Sequence, residues 1–90
     1  MDYAAEHERI KSERKTETRI VKNAVIGNGY QNVSVGHGTG TACGWLHIRA
    51  DQKPGQTWQN AYHDLVRIAQ GVTDRKGKHG GRINANIREP

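Results

Sequence analysis

The chain has 90 residues, with 14 Lys and Arg against 9 Asp and Glu, one cysteine, 11 glycines, no phenylalanine and 33% hydrophobic residues. This length gives one domain at most, with a core drawn from a few well-placed segments and no room for a large enclosed substrate cavity. Cys43 alone excludes an intramolecular disulfide and a Cys-pair zinc knuckle. No apolar run reaches the roughly 20 residues that cross a bilayer, and the first residues lack a signal peptide's apolar middle, so a cytoplasmic setting is expected.

Residues 1 to 15 form a charged segment whose only large aliphatic residue is Ile10, so they read as a frayed helix or as disordered. A single domain is expected over 16–90. Ile20, Val21, Ala24 and Val25 make an apolar stripe at helical spacing, and Gly27-Asn28-Gly29 offers a C-terminal cap; together they predict a helix from about Thr16 to Ile26. Tyr30 to Val35 alternates as a strand, with Val33 and Val35 on one face and Asn32 and Ser34 on the other. Gly36 to Gly40 is expected to be a hairpin connection. Thr41 to Ala50 alternates again, with Leu46, Ile48 and Ala50 on one face and Cys43, Trp45, His47 and Arg49 on the other. After a turn at Pro54-Gly55, Trp58, Ala61, Tyr62, Leu65, Ile68, Ala69 and Val72 recur at three- and four-residue intervals. They predict a second helix, with Trp58 and Tyr62 in the core. Asp74 to Gly81 reads as an exposed basic loop. A last strand follows, with Ile83, Ala85 and Ile87 opposite Arg82, Asn84, Asn86 and Arg88.

The order α-β-β-α-β predicts an α+β two-layer sandwich: a three-stranded, mainly antiparallel sheet with two helices on one face. An order with the first strand in the middle makes every neighbouring pair antiparallel and is preferred.

The net charge of +5 favours a polyanionic or acidic partner. Residues 1 to 22 carry six basic and five acidic side chains, and residues 23 to 90 carry eight and four, so most of the excess belongs to the folded body. On the sheet face away from the helices, alternation gathers an aromatic ring, an imidazole, guanidiniums and amides. Open sheets that bind single-stranded nucleic acid use these groups for stacking, phosphate contact and base-edge contact. The candidate nucleic-acid-binding residues are Trp45, His47, Arg49, Arg82, Asn84 and Arg88 on that face, with Arg75, Lys76 and Lys78 in the basic loop. Such a face is also the ordinary hydrated side of an antiparallel sheet.

The Gly-rich run His37 to Gly44 lacks the Gly-Lys-Ser/Thr ending of a phosphate-binding P-loop and lies between two strands, so that match fails. His37, Cys43 and His47 could converge as soft ligands, but no fourth ligand stands at a recognised spacing. A Cys/His nucleophilic pair has no oxyanion site or linked carboxylate. No catalytic residue, metal or cofactor is assigned, and no membrane partner is expected.

The runs Gly29 to Val35 and Gly38 to Ile48 resemble a pattern in small uncharacterised prokaryotic and phage domains, some of them found in the large polyvalent proteins of mobile elements. There a helix leads through a short glycine turn into a strand, a Gly-Thr-Ala hairpin and a strand bearing a tryptophan. The resemblance covers about the middle third of the chain. It implies an association with phages or plasmids and carries no activity or residue role. The leading expectation is a small, non-enzymatic nucleic-acid-binding module. The alternative is a protein-binding inhibitor or adaptor, such as a phage anti-defence, anti-CRISPR-like factor that contacts an acidic protein surface.

Overall fold

The structure, a computed structural model, describes residues 3–38, 44–77 and 79–89. The elements run α1 (Tyr3–Gly27), β1 (Ser34–His37), β2 (Leu46–Asp51), α2 (Trp58–Gly71), α3 (His79–Arg82) and β3 (Ile83–Arg88). The α+β class and the α-β-β-α-β order are those expected, with the one-turn α3 inserted before β3 in the stretch read as a loop. No helix among the described residues is long and apolar enough to cross a membrane.

α1 begins at Tyr3, well before the apolar stripe that marks it in the sequence. Its C-terminal half packs through Val21 and Val25, both fully buried. The helix stops in a Schellman motif: the Tyr30 N–H donates to the Val25 carbonyl at 3.4 Å and the Gly29 N–H to the Ile26 carbonyl at 2.9 Å. Gly29 takes a φ of +91°, a left-handed conformation that a Cβ penalises. The motif turns Tyr30 back onto Val25 in the core. Gly29→Ala should therefore cost about 1 kcal/mol, read as a Tm lower by about 4–8 °C.

The sheet corrects the expected strand order: it is β1-β2-β3, with β2 in the middle. β1 and β2 are antiparallel, pairing Ser34 with Arg49 and Gly36 with His47. β2 and β3 are parallel neighbours, pairing His47 with Asn84, Arg49 with Asn86 and Asp51 with Arg88. Leu46, Ile48 and Ala50 of the central β2 are all fully buried, and Ile83 and Ala85 of β3 are nearly so. β1 is shorter than expected because Asn32, at φ 53°, breaks the extended run before Ser34.

Both helices lie on the inner face, where Val21, Val25, Leu65, Ile68 and Ala69 meet Leu46, Ile48, Ala50, Ile83 and Ala85. α2 starts at the N-cap Thr57, whose hydroxyl accepts the Asn60 N–H at 3.1 Å. Trp58 departs from its expected place in the core. It sits in the first turn of α2, is 50% exposed, and stacks on Tyr62 at 5.5 Å between ring centroids. The core cluster begins one turn further on, at Ala61 and Leu65.

Candidate nucleic-acid interface

The parity of the strands sets the outer face. With Leu46, Ile48, Ala50, Ile83 and Ala85 turned inward, His47, Arg49, Asn84 and Asn86 must project from the opposite side. The register aligns them in two adjacent rows, Gly36–His47–Asn84 and Ser34–Arg49–Asn86. The Asn84 side-chain amide lies 3.3 Å from His47 Nδ1. A cavity of about 260 Å³ opens over these rows, lined by Ser34, Gly36, His37, His47, Arg49 and Asn86. A Cβ placed on Gly36 would meet nothing within 4 Å, so the floor is open. That volume lies below the roughly 300–1,000 Å³ of small-molecule pockets, and suits a single base or phosphate better than a cofactor.

The remaining candidates divide by position. Trp45, half-buried, immediately precedes β2 on the parity of His47, and its carbonyl accepts the Gly38 N–H at 2.9 Å. Arg82, exposed and with φ 65°, heads β3 at the same end, its guanidinium 3.2 Å from where a Gly44 Cβ would be. At the far end Arg88 is half-exposed and pairs with Asp51 at 3.2 Å, and it also donates to the Asn32 carbonyl. Asp51 shares its other oxygen with the Asn32 amide, so Arg88's charge is partly spent within the protein. Lys76 is exposed. Lys78 and Cys43 lie outside the described residues.

Arg75 is not part of an exposed basic patch, because it is turned inward. Its Nε and Nη2 each donate to Glu17 at 3.0 Å, and its Nη1 donates to the carbonyls of Gly44 at 2.8 Å and Gly81 at 3.2 Å. One guanidinium thereby joins α1, the start of β2 and the turn before β3. His37 Nε2 meets Glu17 at 2.6 Å, which ties this imidazole to α1. Among the described residues, no group of three or more His, Cys, Asp or Glu side chains is placed to hold a metal ion.

Two carboxylates titrate below their ordinary range. Burial alone would raise the Glu17 pKa, but the hydrogen bonds and charges of Arg75 and His37 outweigh it and hold the group ionised. Asp64 is lowered first by the Tyr30 hydroxyl, which donates to it at 2.6 Å, against some desolvation, and then by Arg67. Burial, and then the same contact, push the Tyr30 phenol up to about 12. A folded-state pKa below the unfolded one stabilises the protein above the unfolded value and is lost as pH falls through the folded value. Stability should thus hold at neutral pH and decline below about pH 4.5, the ordinary value for glutamate. Glu17→Gln should flatten that decline in thermal melts taken from pH 7 to 3.

No protein-family model matches the chain, and comparisons with curated proteins and with solved structures give no match.

Proposed function

We propose that the chain is a small non-enzymatic module that binds single-stranded RNA or DNA on the outer face of its sheet. The observation that carries this reading is the pair of register rows joining His47 and Arg49 to Asn84 and Asn86 on the face opposite the one that α1 and α2 pack. The imidazole offers a ring for stacking, Arg49 and Arg82 offer charge for phosphates, and the two amides offer donors and acceptors for base edges. The open floor at Gly36 lets a planar group approach the backbone.

With about three phosphates neutralised, the single-strand salt slope is near −2, so raising salt from 50 to 200 mM should weaken binding about 16-fold. Fluorescence anisotropy with labelled 12-nucleotide RNA and DNA strands measures this. Arg49→Glu should weaken binding at least about 10-fold, as expected for reversing an exposed phosphate contact, while leaving the Tm unchanged. Absence of binding to either strand at low salt would overturn the reading.

A second reading, a protein-binding inhibitor or adaptor, has its own observation. Ile20 and Val72, each 41% exposed, line a groove of about 520 Å³ between α1 and the segment after α2. A partner whose contact survives nuclease treatment and is lost in Ile20→Glu would favour this reading over the first.

A further inference from the structure

The outward side of α1 presents a second cationic surface, remote from the sheet. From residue 14 to the end of the helix, Arg14, Lys15, Arg19 and Lys22 are exposed, and the only acidic residue, Glu17, is turned inward onto Arg75 and His37. Lys15, Arg19 and Lys22 stand at i, i+4 and i+7, which places them on one stripe. Val21 and Val25 face the core, so the stripe is directed to solvent. The three cations span about 10 Å of helix, so they can meet consecutive phosphates of one strand.

We propose that the Lys15–Arg19–Lys22 stripe holds the sugar-phosphate backbone of a second nucleic-acid segment, so that one molecule joins two strands. This rests on the reading of the sheet face as the first nucleic-acid surface. The stripe and the sheet's outer face belong to opposite layers of a body whose shorter dimensions are 24 and 22 Å, so each surface can hold a strand of its own. The stripe bears no aromatic ring or amide, which suits contact with the backbone and not with bases. An anionic lipid surface fits less well. A helix that lies on lipid needs a broad free apolar face, whereas the Val21 and Val25 side of α1 is already buried and its exposed aliphatics among the described residues are the separated Ile20 and Ile26, 41% and 49% exposed.

The test mixes donor- and acceptor-labelled 12-nucleotide strands with the full chain at low salt and reads energy transfer between them. The unmodified protein should bring the labels together. The triple variant Lys15→Gln/Arg19→Gln/Lys22→Gln should lose at least about nine-tenths of the transfer. Its Kd for one strand should stay within about twofold, and its circular dichroism and Tm should match the parent. Transfer retained by the triple variant, or absent from an unmodified protein that still binds one strand, overturns the inference and leaves the sheet-face reading intact. If the triple variant loses single-strand binding while Arg49→Glu does not, the stripe is confirmed as a nucleic-acid surface, the sheet-face reading fails, and two-strand joining fails with it. Stripe-dependent binding to phosphatidylserine vesicles without binding to nucleic acid assigns the stripe to lipid and overturns the proposal.

Discussion

Gly81→Ala is expected to destabilise the protein by about 3 kcal/mol or more, a large share of the roughly 5–15 kcal/mol that holds a small domain folded. Gly81 has a φ of +76°, and a Cβ there would lie 2.4 Å from the Arg75 carbonyl carbon and 2.6 Å from the Lys76 nitrogen. These are backbone atoms, so rotating a side chain gives no relief. Either the Arg75–Lys76 segment moves away from the turn or the turn opens, and both disturb the entry into β3. Gly36→Ala provides the contrast: its Cβ meets nothing within 4 Å, and the Tm should move little. Thermal or urea unfolding of the two variants side by side measures the difference.

Arg75→Met should cost about 2–4 kcal/mol. The Arg75 side chain is 18% exposed and the Glu17 side chain 25%, so water compensates only partly when the pair is broken. Methionine leaves the Glu17 carboxylate with His37 alone and removes the donor that reaches the carbonyls of Gly44 and Gly81. Arg75→Lys should recover less than half of the loss, because one ammonium cannot reproduce a planar fork that serves two carboxylate oxygens and two carbonyls at once. The loss should also shrink as pH falls and the Glu17 carboxylate, held below its ordinary range by Arg75 and His37, takes up its proton. Unfolding measured at pH 7 and pH 3 separates this electrostatic part from simple loss of packing. Through this guanidinium, α1 bears on the β2 and β3 ends where Trp45 and Arg82 stand, so nucleic-acid affinity should fall with stability.

How much of this was legible in the sequence follows from the range of each signal. Alternation is local, so the period-two pattern of Leu46 to Ala50 and of Ile83 to Ile87 was enough to assign faces, and it put His47, Arg49, Asn84 and Asn86 together. Alternation does not name a neighbour. The strand order therefore departed from expectation, with β2 in the middle and β3 parallel beside it. Arg75 looked like one more cation in a glycine-rich run because its partner, Glu17, lies 58 residues away. Trp58 fits the apolar stripe of α2, yet the stripe extends one turn beyond what the sheet and α1 cover. The exposed stripe on α1 was hidden by a charge count. Residues 1 to 22 nearly balance in number, but in the C-terminal half of the helix the acidic residue turns inward and the basic ones outward.

The sheet face is most directly tested by titrating isotope-labelled protein with an unlabelled single-stranded 12-mer and following each backbone amide by NMR. Saturable shifts should concentrate at Ser34 to Gly36, Trp45 to Arg49 and Arg82 to Asn86, with Ala61 to Ala69 of the buried α2 face unmoved. Shifts confined to the helices, or none at low salt, would contradict binding on the sheet.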